Sequence, residues 1–428
     1  MSPGRETVFT YAAPQLKFGV GAADEIGFDL GEYGAKRVLL ITDAGVAAVG
    51  SPHRVAESMF RQGIQVQIFT EVHVEPTDAS LRYAVEVARD GGPWDAFVAV
   101  GGGSSIDTAK AVNLLTTNPG DLMEYVNAPV GAGRPPQRPL KPLIAVPTTT
   151  GTGAESTTVC VLDVLALKVK TGISHARLRP TLAVVDPLLT VTQPPQVTAA
   201  SGMDILCHAL ESYTAKPYTD FEPKAPHQRV PYCGANPVAD MFSERALALL
   251  ARSLRVAVAQ GDNLDARTDM AMAATFAGMG FGNAGVHIPH ANAYPIAGGV
   301  RDFRPDGYPA GEPLVPHGMA VSLTAPEAFR FTFASCPQRH LRAAELLGEQ
   351  AAPAAPDRPS EWLPALVTSL MRDIGMPNGL GAVGYRVHDV DTLVDGAMKQ
   401  QRLLATAPLS VTEEDLAGIF TRSLTLWD

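Results

Sequence analysis

Short runs of consecutive apolar residues, each closed by Gly, Pro, Thr or Asp, recur through the first half of the chain and then stop. Val38 to Ile41, Phe97 to Val100 and LIAVPT from Leu143 have the continuous β-branched and Leu character of parallel strands buried on both faces. Helical patterns separate them, at Ala22 to Tyr33, Arg54 to Gln62 and from the VHVEPTDAS turn through Arg89, so the alternation predicts an α/β unit. Phe9 to Phe18 reads as an opening strand pair, IQVQIFT as one further strand, and the stretch from Lys170 to LAVVDPLL as two more. Beyond Pro194 the texture changes to Ala/Leu-rich helical segments such as MFSERALALLARSLRVAV and RTDMAMAATFAGMG. The expected division is residues 1–190, an α/β domain with a parallel sheet, and residues 191–428, an all-helical domain. Gln350 to Pro359, rich in Ala and Pro, reads as a linker or surface loop.

The strand ends carry candidate chemistry. Gly101 to Gly103 form a tight turn after a buried strand, and Ser104 or Ser105 starts a helix running to Leu115. Glycines let a backbone approach a phosphate closely, and the free N–H groups and positive end of the helix bind it. This turn is not the GxGxxG fingerprint, so an ordinary Rossmann dehydrogenase is not implied. Asp43, at the carboxyl end of Val38 to Ile41, can accept hydrogen bonds from an adenosine ribose and repel a 2′-phosphate; equally, it can cap a helix from Ala44. Thr148, Thr149, Thr152 and Thr157 set hydroxyls around a second glycine turn, able to clasp ribose and phosphate oxygens or to serve an ordinary loop.

In the second half, Asp204 and His208 stand one helical turn apart in SGMDILCHALESY and so face the same side. A carboxylate and an imidazole suit a borderline divalent metal, Fe²⁺ or Zn²⁺. Further ligands are available from GVHIPHANAYP, with His287 and His290, and from LVPHGMAV, with His317.

Composition narrows the class. Charged residues are 18% and hydrophobic residues 46% of 428, which marks a folded chain. A net charge of -10 argues against nucleic acid or an anionic membrane as partner. Four widely spaced cysteines without a CxxC pair fit a reducing compartment, and the start lacks an apolar signal core, so a soluble cytoplasmic protein is expected. No apolar run approaches the roughly 18 residues of a membrane span.

GGGSSID, PTTTGTGAE, the Asp-x3-His and the two later histidines, standing in this order, resemble the group III, iron-containing alcohol dehydrogenases. VEPTDAS, LKPLIAVPTT, KVKTGI, GMDILCHALESYTAKPY, GFGNAGVH and PLVPHG are most similar to the hydroxyacid-oxoacid transhydrogenase branch of that family. The resemblance implies a dehydroquinate synthase-like fold: an N-terminal dinucleotide-binding α/β domain followed by an all-helical metal-binding domain. It implies NAD as cofactor and Asp204, His208, His290 and His317 as ligands of Fe²⁺, with Zn²⁺ the other candidate. Asp43, Gly102, Gly103, Ser104, Asp107, Thr148, Thr149, Thr152, Thr157 and Lys170 fall on its cofactor-contacting positions.

Three departures from the pattern stand out, one being Ala154 in place of the Ser often found in the PTTxGTGxE loop, which removes one hydroxyl contact to the cofactor. Tyr294 replaces the second histidine that many relatives carry after the third ligand, leaving His287 or Tyr294 as a stand-in proton carrier or as structural residues. Glu75 replaces the usual Asn of the PNPT-type turn, as in the transhydrogenase branch. The implied substrates are small alcohols, hydroxyacids or oxoacids, and a homodimer is the expected assembly. The competing functions are an NAD-dependent alcohol dehydrogenase that releases NADH and, remotely, a catalytically silent metal- or nucleotide-binding protein. Lys216, Arg301 and Arg304 are the candidate cations for a substrate carboxylate.

Overall fold

Six buried or edge strands run parallel in one sheet in the order β1-β8-β5-β4-β2-β3. They are β1 (Gln15–Phe18), β2 (Arg37–Ile41), β3 (Gln65–Phe69), β4 (Ala96–Gly101), β5 (Leu143–Pro147) and β8 (Leu182–Val185). The computed structural model describes residues 4–428 except 168, 230, 309–310, 312 and 349–357, so residues 350–357 of the expected linker lie outside the described residues.

The continuous apolar runs are explained by a sheet covered on both sides. Leu39, Ile41, Phe97, Ala99, Leu143 and Ala145 point into one core. Val38, Leu40, Ala96, Val98, Ile144, Val146 and Val184 point into the other. Successive residues of a strand face opposite ways, so only a run without polar interruptions satisfies both cores.

Strand order also fixes where a ligand can enter. The chain steps outward from β2 to the edge strand β3, then returns to place β4 on the opposite side of β2. The reversal between β2 and β4 is a topological switch point, and in open α/β sheets ligands bind outside the carboxyl ends of the strands there. Those ends carry Asp43 and the Gly101 to Gly103 turn.

One expectation about strands is corrected. Only Gln15–Phe18 of the opening stretch is a strand, pairing in parallel with β8. The residues before it are extended but bond elsewhere: Ala12 N–H donates to Asn283 Oδ1 at 3.0 Å, and Glu6 accepts from Lys224 N–H at 2.9 Å and Arg229 Nη1 at 3.2 Å. The stretch from Lys170 to LAVVDPLL holds the two strands expected of it, Val169–Ser174 and β8, and a further strand precedes them. β6 (Val159–Val164) and β7 (Val169–Ser174) form a separate antiparallel hairpin in which Asp163 pairs with Lys170. The period-2 alternation of VCVLDV signals β6, one face of which is buried.

The chain divides into two compact units, Ala13–Thr192 and a second made of Gln193–Asp428 with the leading segment that ends at Ala12. The second unit contains no strand among the described residues. Its long helices Pro195–Thr214, Pro237–Ala259 and Leu264–Ala284 share one core through Leu206, Leu210, Leu247, Leu250, Met270 and Ala277. The fold class is therefore the expected one, a parallel α/β unit followed by a helical unit. No helix among the described residues is long and apolar enough to cross a membrane.

Candidate functional site

In the helical unit, three separate helices deliver four ligand-type side chains to one point. Asp204 and His208 project from Pro195–Thr214, His290 from the first turn of Ile288–Gly298, and His317 from the start of His317–Ser322. One ligand atom of each lies within 4.8 Å of all the others. Asp204 Oδ1 stands 3.7 Å from His208 Nε2, 3.6 Å from His290 Nε2 and 3.8 Å from His317 Nε2. Ligand atoms about 2.1 Å from a tetrahedral metal would stand roughly 3.4 Å apart, so the four fit one ion with little adjustment.

Satisfaction of the polar atoms makes the same point. Asp204 Oδ1 and His290 Nε2 are buried and have no hydrogen-bond partner among the described residues. Such orphans are rare unless an ion or water belongs there. His317 keeps 28% of its side-chain surface accessible while Asp204, His208 and His290 keep 2, 4 and 6%, so the cluster opens on the His317 side.

Local packing explains the approach. A Cβ on Gly318 would lie 2.1 Å from the carbonyl oxygen of Ala200 and 2.8 Å from Asp204 Cβ. Only glycine after His317 lets that helix start press against the helix bearing Asp204. His208 is held by its ring, stacked on Phe281 at 3.8 Å with planes 7° apart.

Glu211, absent from the sequence reading, is the organising acceptor. It has no accessible side-chain surface, and its Oε1 lies 2.6 Å from His290 Nδ1. Its Oε2 accepts the backbone N–H of His287 at 2.6 Å and of His290 at 3.4 Å. Burial opposes its ionisation, but the His290 ring and the His287 N–H hold its carboxyl below the usual value. A carboxylate there accepts the Nδ1–H and turns Nε2 toward Asp204, so Nε2 is the nitrogen a metal would bind. Despite burial, Glu211 and Asp204 push the His290 imidazole up to about 9, whereas burial pulls His208 down to about 3. Burial also works against ionisation of Asp204, and the His208, His317 and His290 rings overcome it and hold the carboxyl well below the usual range.

The remaining sequence candidates in this unit fall outside the cluster. His287 is fully buried, bonds Thr214 Oγ1 through Nε2 at 3.1 Å and is pulled down to about 4, chiefly by burial. Tyr294 is half-buried against the apolar group of Phe281, Val286, Ala291 and Leu403. Among the candidate cations, Arg301 bonds Asp389, Arg304 donates to the carbonyls of Asp302 and Gly311, and Lys216 lies over the Phe221 ring.

In the α/β unit the glycine turn is shaped by contacts that exclude side chains. A Cβ at Gly101, whose φ is +159°, would lie 2.2 Å from Ser105 Oγ. At Gly102 it would lie 3.0 Å from Thr149 Oγ1, and at Gly103 2.9 Å from the Thr152 methyl. Thr148 Oγ1 is buried without a partner among the described residues. The backbone N–H groups opening the helix Gly103–Thr117 complete a cradle suited to a diphosphate. Asp43 does cap the following helix, accepting Val46 N–H at 2.9 Å, and its other oxygen accepts from Ser105 Oγ at 3.3 Å. Capping therefore leaves the carboxylate beside the turn, and the two sequence readings of Asp43 are compatible.

Asp107, Thr157 and Lys170 are tied into the protein itself. Lys110, another residue the sequence reading passed over, is wholly buried and donates to Asp107 Oδ1 at 3.2 Å, Thr157 Oγ1 at 3.1 Å and the Val159 carbonyl at 2.7 Å. Asp107 Oδ2 accepts Val161 N–H at 2.9 Å, so the β6–β7 hairpin is pinned to the helix Gly103–Thr117. Lys170 pairs with Glu75 and with Asp163. Ser104 Oγ accepts Glu75 N–H at 3.1 Å.

Comparison with known proteins gives consistent results. The family model for iron-containing alcohol dehydrogenase matches residues 13–187, and the C-terminal model of the Fe-containing alcohol dehydrogenase family matches residues 231–424. The mitochondrial hydroxyacid-oxoacid transhydrogenase of Rattus norvegicus is 45% identical over 433 residues, covering 100% of this chain and 92% of the relative. That of Homo sapiens is 43% identical with the same coverage. Among solved structures, a 1,3-propanediol oxidoreductase superposes with a TM-score of 0.84 at 33% identity, covering 97% of this chain and 100% of the other. A sulfoacetaldehyde reductase from Bifidobacterium kashiwanohense, solved with NAD+, gives 0.80 at 26% identity, covering 97 and 98%.

The relatives overturn one expectation. The transhydrogenases similar over the whole chain are mitochondrial, so the cytoplasmic placement does not stand. Cysteine spacing and net charge carry no address that distinguishes one compartment from another.

Proposed function

Because the chain belongs to the iron-containing alcohol dehydrogenase family, we propose that it works as a hydroxyacid-oxoacid transhydrogenase. The reaction is 4-hydroxybutyrate plus 2-oxoglutarate to succinate semialdehyde plus 2-hydroxyglutarate. Two hydrogens leave the hydroxyacid, one as hydride and one as proton, and both reappear on the oxoacid. The observation that carries this reading is the cluster of one carboxylate and three imidazoles, open on one side, in a chain 45% identical to a transhydrogenase throughout.

Asp204, His208, His290 and His317 would hold the metal, which we take as Fe²⁺, and the Gly101 to Ser105 turn would hold the diphosphate of NAD. When bound, the metal acidifies a substrate hydroxyl and polarises a carbonyl, and the nicotinamide carries the hydride. The protein's own part is orientation and dryness. Glu211 keeps the Nδ1 proton of His290, so Nε2 faces Asp204. Phe281, stacked on His208, keeps water off one face of the cluster. His317, partly accessible, borders the side from which a hydroxyacid or oxoacid reaches the cluster. Asp43, which accepts from Ser105 beside the glycine turn, carries a negative charge that would repel a 2′-phosphate, which supports NAD over NADP.

The test uses protein purified with its own cofactor and freed of excess nucleotide. Equal amounts of succinate semialdehyde and 2-hydroxyglutarate are expected, with little free NADH. Absence of 2-hydroxyglutarate together with stoichiometric reduction of added NAD by a simple alcohol would replace this reading with that of a dehydrogenase.

A further inference from the structure

The segment between β3 and the helix Asp78–Gly91 crosses the place where the dinucleotide is expected to lie. β3 is the edge strand on the far side of β2 from β4. To reach Ser104, which opens the helix after β4, the segment must pass over the carboxyl end of β2. Its fastenings trace that path. Val72 N–H donates to the Thr42 carbonyl at 3.4 Å, just past β2, and Glu75 N–H donates to Ser104 Oγ at 3.1 Å. On the far side, Asp163 N–H donates to the Pro76 carbonyl at 2.8 Å, tying the strap to the β6–β7 hairpin.

Glu75 is the keystone of this strap. Its φ is +58°, a left-handed conformation that a residue with a side chain keeps only where its surroundings impose it. That conformation sends the carboxylate to Lys170 Nζ, which also lies 3.1 Å from Asp163 Oδ2. The Lys170 side chain is only 6% accessible and Glu75 26%, so the pair is largely removed from water. Burial works against the ammonium charge, and Glu75 and Asp163 more than restore it.

We propose that Glu75 and Lys170 form a latch that closes the 72–77 strap over the β2/β4 switch point and sets how slowly the dinucleotide leaves. This deepens the transhydrogenase reading and rests on it, because shuttling a hydride between two acids requires NAD(H) to dissociate more slowly than the acids exchange. Opening the strap separates a buried ion pair as well as the Ser104 bond, and parting one member of such a pair from the other is strongly unfavourable. Glu75 is thus a positioning residue: it holds the strap and the start of the phosphate-facing helix, and it takes no part in hydride transfer.

The experiment measures NADH release from the purified full-length protein by stopped-flow fluorescence, with excess NAD+ as the displacing nucleotide. Glu75→Gln keeps the size and the backbone bond to Ser104 but removes the charge. Release should quicken at least about tenfold with little change in association rate, since losses of this kind fall mainly on dissociation. Glu75→Asp keeps the charge in a residue that tolerates the left-handed backbone and should release more slowly than Glu75→Gln. Glu71→Gln, whose exposed carboxylate faces Tyr83 outside the strap, should match wild type. Wild-type release from Glu75→Gln, or equal release from the Gln and Asp variants, would overturn the latch. If Glu75→Gln does not fold, Glu75→Asn takes its place with the same expected and opposing results. A wild-type protein that makes no 2-hydroxyglutarate would sink the transhydrogenase reading alone, because the ratio of variant to wild-type release still reads the latch.

Discussion

His290 Nδ1 lies 2.6 Å from Oε1 of the fully buried Glu211, and the other oxygen of that carboxylate accepts the N–H of His287 at 2.6 Å. One buried charge therefore fixes both the ring tautomer of a candidate ligand and the backbone from which that ligand springs.

Glu211→Gln should weaken metal binding by about 10–100-fold, the usual range for an outer partner of a ligating histidine. The amide presents one oxygen where three N–H groups converge, so its NH₂ must face either the ring nitrogen or the backbone donors. Chelator competition on the folded variant checks this. Wild-type affinity would show that the carboxylate does not set the tautomer.

His290→Ala and His317→Ala should lose metal by more than about a hundredfold, beyond what an outer partner accounts for, whereas His287→Ala should retain it. His287 bonds Thr214 and stands outside the four-residue cluster. Metal content per folded chain, with folding checked by circular dichroism, decides the matter. Loss of metal in His287→Ala but not in His290→Ala would reverse the ligand assignment.

The Asp204–His208 pair and the parallel sheet were legible for the same reason, local spacing, whereas His290 and His317 were singled out from His287 only by the family resemblance. Asp204 and His208 sit one turn apart, and β2, β4 and β5 are unbroken apolar runs. Glu211 lies on the same helix, three residues past His208, but a lone Glu in a helix usually marks a solvated face. The signal was its setting in DILCHALESY, where every neighbouring position is buried. Lys110 was overlooked likewise, in a helix with no polar face to betray it. The docking of Ala12 on Asn283 joins residues 271 positions apart, a pairing that no local pattern encodes.

Asp43→Asn should narrow the preference for NAD over NADP by about tenfold or more, because it removes a negative charge facing the place of a 2′-phosphate. Asparagine caps a helix as well as aspartate does, so the bond to Val46 survives and thermal stability should barely move. That separation makes it a cleaner test than glycine, which alters cap and charge together. An enzyme already better with NADP, or an unchanged ratio in the variant, would remove Asp43 from cofactor selection.

Arg267 supplies a test of the frame behind the metal cluster. Its side chain is completely buried and donates to the Gly261 carbonyl at 2.7 Å, Thr198 Oγ1 at 2.8 Å and the Gln193 carbonyl at 2.9 Å. Gln193 and Thr198 bracket the start of the helix that bears Asp204 and His208, so one guanidinium anchors that helix by its end. Arg267→Met keeps most of the length and removes these three bonds, while Thr198 Oγ1 still bonds the Pro194 and Gln193 carbonyls. Each lost bond from a charged donor costs about 1.5–3 kcal/mol, but the guanidinium's own burial is unfavourable and offsets part of the loss, so a net destabilisation of about 2–4 kcal/mol is expected. Urea unfolding should show the loss as a lower midpoint with an unchanged slope. A midpoint within error of wild type would mean that these bonds only balance the burial of the charge, and the anchor would have to be sought elsewhere in the helix.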